Sequence, residues 1–178
     1  GVKHCEGELV TWLNSDDFYL PGALNAVASA YVENNSAPFY FGNGLRVNEL
    51  GNTTQTYFPS EILRFNSSCL LYGLNYILQP STFINQSFIL ENNLLNVDLN
   101  YGMDYDLWLR LEKLGTPKPI NSILSASREY SKTKTSTGSF ERVEELRKIV
   151  MQHSGEAITP GIICYFLDTL HRYIEEEK

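Results

Sequence analysis

The spacing of apolar positions changes period several times along this chain, and each change marks an element. Glu8-Leu9-Val10-Thr11-Trp12-Leu13 is a short apolar, β-rich run that stops at Asn14-Ser15-Asp16-Asp17. That pattern predicts a buried strand ending in a polar turn. Pro21 stands where a first helical turn tolerates it, and Ala23, Leu24, Val27, Ala28, Tyr31 and Val32 then recur at helical spacing. A helix over about 21–34 follows, stopped by Asn34-Asn35-Ser36. Pro38 to Phe41 reads as a second buried strand, and Leu45–Val47 and Thr56–Phe58 flank a hairpin turn at Gly51-Asn52.

Residues 60–78 predict one or two short helices broken around Asn66-Ser67-Ser68. Gln79-Pro80-Ser81-Thr82-Phe83-Ile84 reads as extended, because the residue before a proline is pushed out of the helical region. A short helix is expected over 87–92. The spacing of Leu107, Leu111 and Leu114 predicts a helix over 104–114, ended by Gly115 and Pro117. Ile120 to Ala126 is a strand, 129–138 a polar candidate mobile loop, and two helices, about 139–153 and 160–176, close the chain. Strands alternating with helices give an α/β class with an irregular middle. The simplest organisation is a domain over 1–138 followed by a helical extension over 139–178.

Composition narrows the chemistry. A net charge of −7 with scattered Lys and Arg argues against nucleic acid as a partner, because phosphate backbones select clustered cations. Cys5, Cys69 and Cys164 are widely spaced and odd in number, which argues against a disulfide framework or a zinc site and fits a reducing, cytoplasmic location. No apolar run reaches the length of a membrane span, and the first residues lack the pattern of a secretory signal. Peripheral membrane contact is an alternative location. The C-terminal stripe of Ile162, Ile163, Tyr165, Phe166, Leu167, Leu170 and Tyr173 suits docking on the chain's own core or on a homodimer partner. A membrane surface fits less well, because the polar face of that helix is acidic.

Two acidic groups stand out. Asp16 and Asp17 are adjacent carboxylates at the end of a buried strand, where like charges oppose ionisation unless a cation is near. Hard oxygen ligands at a strand's C-terminal edge suit Mg²⁺ or Mn²⁺ held jointly with substrate phosphates; helix capping near Pro21 is the competing role. Asp104 and Asp106 precede a helix and cannot both cap one turn. Arg110 is one turn from Asp106 and can pair with it, leaving Asp104 to face a cleft as a general base. Trp12 and Trp108 lie inside apolar patterns and read as core. His4, His153 and His171 have no metal-like spacing.

Taken together, Gly7-Glu8-Leu9-Val10-Thr11-Trp12-Leu13-Asn14-Ser15-Asp16-Asp17-Phe18-Tyr19-Leu20-Pro21, the strand with a Gly turn at Phe41-Gly42-Asn43-Gly44, Gln79-Pro80-Ser81-Thr82-Phe83 and Asp104-Tyr105-Asp106-Leu107-Trp108-Leu109-Arg110 resemble, in order, the motifs of family 2 glycosyltransferases. The resemblance covers about residues 1–150 and implies a partial GT-A fold, a mixed sheet flanked by helices. It implies an inverting enzyme that moves a sugar from a nucleoside-diphosphate-sugar donor, such as a UDP-sugar, to a glycan or lipid-linked acceptor. Asp17 would hold the Mn²⁺ or Mg²⁺ bridging the diphosphate, Asp16 would contact the ribose or donor-sugar side, and Asp104 would be the base. Gln79 and Ser81 would line the acceptor side or simply form the turn.

Two departures are visible. Tyr130 stands where many relatives carry a metal-binding His, with Glu129 as the neighbouring carboxylate. The family's opening strand-helix units, roughly 80–100 residues of an ordinary domain, precede the point where this sequence begins to match. The expectation is therefore a chain with the acid motif and the base but an incomplete donor site. The rivals are a non-catalytic carbohydrate-binding or assembly module of the same fold, and a nucleotidyltransferase or Mg²⁺-dependent phosphohydrolase. The last shares the acid-pair logic but leaves the segments at 79–83 and 104–110 unexplained.

Overall fold

A computed structural model describes residues 1–59, 63–92, 94–129 and 139–176; the polar segment 130–138, read above as a loop, lies outside the described residues. The chain divides into two compact units. One comprises Gly1–Phe65, Tyr76–Leu95 and Arg110–Tyr130, the other Asn66–Asn75, Asn96–Leu109 and Ser131–Lys178.

The first unit is built on a mixed sheet. Its strands are β1 (Leu9–Val10), β2 (Phe18–Tyr19), β3 (Phe39–Val47), β4 (Thr53–Thr56), β5 (Thr82–Asn85) and β6 (Lys118–Arg128). The lateral order is β1-β5-β3-β6-β2, with β4 hairpinned onto β3. Among the described strands the central β3–β6 pair is parallel and the other pairs are antiparallel. Helix α1 (Ala23–Glu33) covers one face, burying Ala23, Val27 and Ala30 against Tyr40, Phe83, Ile120 and Leu124. Its apolar spacing at three and four residues makes that stripe. Helix α3 (Gln86–Asn92) follows β5 directly. The 48–52 hairpin turn is closed by the Asn48 side chain, whose Oδ1 accepts from the Leu50 and Asn52 amides, and Gly51 takes the positive φ of 83° the turn needs.

Several expected boundaries move. The run Gly42-Asn43-Gly44 is not a turn: β3 passes through it as one strand of nine residues. The glycines are there for close approach. A Cβ on Gly42 would meet the Leu124 side chain at 2.4 Å, and one on Gly44 would meet Leu78 at 2.1 Å. The β3–β6 register slips on both sides of Asn43, so β6 carries extra residues there. The strand expected over 8–13 shrinks to β1, while β2, a two-residue strand between Asp17 and Leu20, was not foreseen. Gln79–Ser81 form a 3-10 turn with Pro80 inside it, and extended structure begins only at Thr82.

The second unit is helical: α2 (Ser67–Tyr72), most of α4 (Met103–Leu111), α5 (Phe140–Ser154) and α6 (Pro160–Glu176). Asn66 does not break a helix but starts one, its Oδ1 accepting from the Cys69 amide at 2.8 Å. Gly155 ends α5 in the left-handed conformation, and Pro160 opens α6. Packing of α5 on α6 includes Phe140 between Phe166 and Tyr173, with ring centroids 5.5 and 6.4 Å apart. Gly161 lets α6 meet α2: a Cβ there would lie 1.5 Å from the Gly73 carbonyl oxygen. Along α6, Ile162 is buried whereas Ile163, Phe166, Leu167 and Tyr173 are exposed. Among the described residues no helix is long and apolar enough to cross a membrane.

Candidate active site

The acid motif forms a tight turn at the edge of the sheet. The Asp17 amide donates to the Asn14 carbonyl at 3.1 Å, and the Asn14 side-chain amide donates to Asp17 Oδ2 at 3.0 Å. An Asn at the first position of such a turn suits both contacts. The chain then enters β2, where Phe18 pairs with Ala126 and Tyr19 with Ser125. This register lays Asp17 beside the end of β6, and the Arg128 amide donates to Asp17 Oδ1 at 3.0 Å. Asp17 is only 9% exposed. A carboxylate so buried is held by donors on both oxygens, which offsets part of its desolvation.

Arg128 does more than present its amide. Its Nε donates to the Asp16 carbonyl at 3.3 Å, and its Nη1 donates to the carbonyls of Asn48, at 3.2 Å, and Glu49. One side chain therefore ties the acid turn to the β3–β4 hairpin turn. Asp16 itself is half-buried. Next to Arg128, Glu129 is bound by Arg46 at 2.8 Å, and Arg46 also lies over the Tyr57 ring at 5.1 Å. The Glu129 carboxylate is thus already neutralised by a protein cation. Tyr130, the position of the expected loop histidine, lies outside the described residues.

The residues present can be tested against a divalent cation. Among the described residues no group of three or more His, Cys, Asp or Glu side chains is arranged to hold a metal. A cation shared with a diphosphate needs only one or two protein carboxylates, the rest coming from phosphate oxygens and water. Asp17 matches that mode. Each of its oxygens has two acceptor sites and accepts one hydrogen bond from the protein, leaving capacity for a metal that arrives with its phosphates.

The segment expected on the acceptor side is largely internal. Ser81 is fully buried, its hydroxyl donating to the Asn43 carbonyl at 2.9 Å and sharing a 2.6 Å hydrogen bond with Ser125. Gln79 is half-buried and donates from Nε2 to the Trp12 carbonyl at 2.6 Å, which links this segment to the chain entering the acid turn.

Asp104 belongs to the other unit, in the first turn of α4. Burial raises its pKa above the usual carboxylate range; the Tyr105 amide and the nearby Arg142 charge oppose that rise. Tyr105 and Trp108 are fully buried, so Trp108 is core, as its place in the apolar pattern predicts. The Tyr105 hydroxyl donates to the Leu70 carbonyl at 2.6 Å. Asp106 is also buried, 2.8 Å from His153 Nε2. His153, singled out only for lacking a metal-like spacing, is a buried partner of Asp106.

Arg128, Arg142, Glu145 and His153 bear on the two acidic segments, yet sequence reasoning assigned none of them a role. Arg128 carried a signal, as the arginine at the end of the last core strand. The other three act across more than thirty positions of chain and leave no local pattern.

The chain is similar to three rickettsial proteins named uncharacterized glycosyltransferases. One from Rickettsia conorii is 28% identical over 141 residues, covering 74% of this chain and 22% of the relative. One from Rickettsia felis is 28% identical over 136 residues with the same coverages, 74% and 22%. One from Rickettsia typhi is 24% identical over 144 residues, covering 77% of this chain and 44% of the relative. The chain thus spans between about a fifth and less than half of these relatives. No family model matches it. The similarity is distant, and it supports a glycosyltransferase.

Proposed function

We propose that this chain carries the acid turn and the general base of an inverting, GT-A-type family 2 glycosyltransferase that moves a sugar from a nucleoside-diphosphate-sugar donor to a glycan or lipid-linked acceptor. The observation that carries the reading is the anchoring of Asp17. Its two oxygens are each fixed by one protein donor at 3.0 Å while acceptor capacity remains on both, as a ligand to a cation shared with phosphates requires. The distant similarity to glycosyltransferases points the same way.

In this reading Asp17 would hold Mn²⁺ or Mg²⁺ against the donor diphosphate, and Asp16 faces the ribose or donor-sugar side. The cation supplies charge stabilisation for the departing nucleoside diphosphate. The acceptor hydroxyl oxygen attacks the anomeric carbon in line, the bond from that carbon to the diphosphate oxygen breaks, and the hydroxyl proton passes to the Asp104 carboxylate. The raised pKa of Asp104 makes it a stronger base than an ordinary aspartate. The Gln79–Ser81 segment shapes the acceptor side through its tie to Trp12 rather than through the Ser81 hydroxyl.

Calorimetric titration of the natural full-length protein with UDP-sugars, with and without Mn²⁺, tests the reading. Binding that requires Mn²⁺ is the expected result. Binding of free glycans with no nucleotide-sugar binding under either condition would favour a non-catalytic carbohydrate module instead.

A further inference from the structure

Helix α5 brings Glu145 and His153 to the start of α4 within the second unit. Glu145 accepts hydrogen bonds from three successive backbone amides, Asn100 at 2.9 Å, Tyr101 at 2.6 Å and Gly102 at 2.7 Å. Converging backbone amides of this kind form an anion-binding nest, and here a carboxylate of the same chain fills it. These residues immediately precede Met103, so their orientation sets the angle at which α4 begins. Contact is close: a Cβ on Gly102 would lie 2.6 Å from the Ile149 side chain of α5.

Arg142 lies three residues before Glu145, on the same helical face. Its guanidinium sits over the Tyr165 ring at 5.1 Å, and the Tyr165 hydroxyl accepts from the Asn75 amide at 3.0 Å. Arg142 and Asp104 both bear electrostatically on Tyr165, and Arg142 bears on Asp104. Farther along α5, His153 meets Asp106 at 2.8 Å. Among the described residues, the titratable and charged groups disposed about the Asp104 turn include Asp106 on α4 itself, Arg142, Glu145 and His153 from α5, and Cys164 and Tyr165 from α6.

A helix start is ordinarily satisfied by a local Ser, Thr, Asn or Asp cap. In α4 the Asp104 Oδ1 accepts from the Tyr105 amide at 2.8 Å, but the segment leading into the helix is held by a residue 43 positions away from Gly102, so the entry to α4 depends on α5 being docked. We propose that α5 is a working part of the base assembly, in which Glu145, through the backbone amides of residues 100–102, fixes the direction of Asp104 as a positioning residue. The proposal rests on the reading of Asp104 as the base.

The test is the Asp104 carboxyl titration followed by ¹³C NMR in the full chain, together with hydrogen exchange at Asn100, Tyr101 and Gly102. Glu145→Asp keeps the charge but not the reach, so it is expected to move the Asp104 midpoint off its wild-type position through the changed placement of the carboxyl. Glu145→Gln is expected to speed exchange of the three amides about tenfold or more. Glu145→Asp, one methylene shorter, provides the same readout should the glutamine variant not fold, with a smaller acceleration. A structural role alone would lower the melting temperature and leave the Asp104 midpoint of Glu145→Asp unmoved. That unmoved midpoint, or unchanged exchange in the Glu145 variants, overturns the proposal. The base reading is decided separately by the activity of Asp104→Asn, so either idea can fail while the other stands.

Discussion

Asp17→Ala removes the acceptor for two donors at once. The Arg128 amide and the Asn14 side-chain amide each donate to a different Asp17 oxygen at 3.0 Å, and the carboxylate is only 9% exposed. Hydrogen bonds to a charged group contribute about 1.5–3 kcal/mol each. Asn14 is exposed, so water recovers part of its loss, and the Arg128 amide bears most of the cost. The net expectation is about 2–4 kcal/mol, or roughly 6–12 °C in melting temperature for a chain of this size. Urea unfolding followed by circular dichroism measures it, without added metal or nucleotide. Asp17→Asn keeps the volume and one acceptor but turns an NH₂ toward one of the donors, so it should lie between alanine and wild type. A loss below about 0.5 kcal/mol for Asp17→Ala, the range of ordinary surface substitutions, would refute the anchored acid turn. The same result would remove the structural ground for Asp17 as a preorganised ligand.

Three further outcomes follow from the packing and charges. Because burial raises the Asp104 pKa, the group favours folding below its unfolded pKa, and this contribution is lost as pH rises through the folded value. Asp104→Asn should therefore stabilise the chain at pH 7 and have less effect near pH 3, as thermal melts at both pH values would show; a destabilised asparagine variant at pH 7 would contradict the burial account. His153→Ala removes the 2.8 Å contact to buried Asp106 and should cost about 1–3 kcal/mol; an effect under about 0.5 kcal/mol would show the pair to be unimportant. Gly161→Ala places a Cβ 1.5 Å from the Gly73 carbonyl oxygen, which forces α6 away from α2 and should cost about 3 kcal/mol or more; a wild-type melting temperature would contradict that contact.

The elements set by local periodicity were legible in the residues: α1, α4, α5, α6, the hairpin at Gly51 and the buried strands around Phe41 and Leu124. Boundaries went astray where tertiary contact overrode local signals. Gly42 and Gly44 have the composition of a turn, but they serve the close approach of Leu124 and Leu78 to a continuous strand. Phe18–Tyr19 is too short to show a period and becomes a strand only because β6 offers a free edge to it. In the candidate site, the acid pair and Asp104 stood out because adjacent carboxylates beside apolar runs demand an electrostatic explanation. Their supports did not. Arg128 reaches carbonyls on two turns, and Glu145 reaches amides 43–45 residues away; neither contact has a spacing that a linear reading could weigh.

The central claim is that Asp104 takes the acceptor proton while Asp17 serves the donor. The most direct measurement is sugar transfer and Mn²⁺-dependent UDP-sugar binding by the Asp104→Asn variant of the natural full-length protein. The account predicts donor binding close to wild type and transfer reduced by about 10²-fold or more, the loss expected when a positioned base is removed. Transfer at the wild-type rate would contradict it.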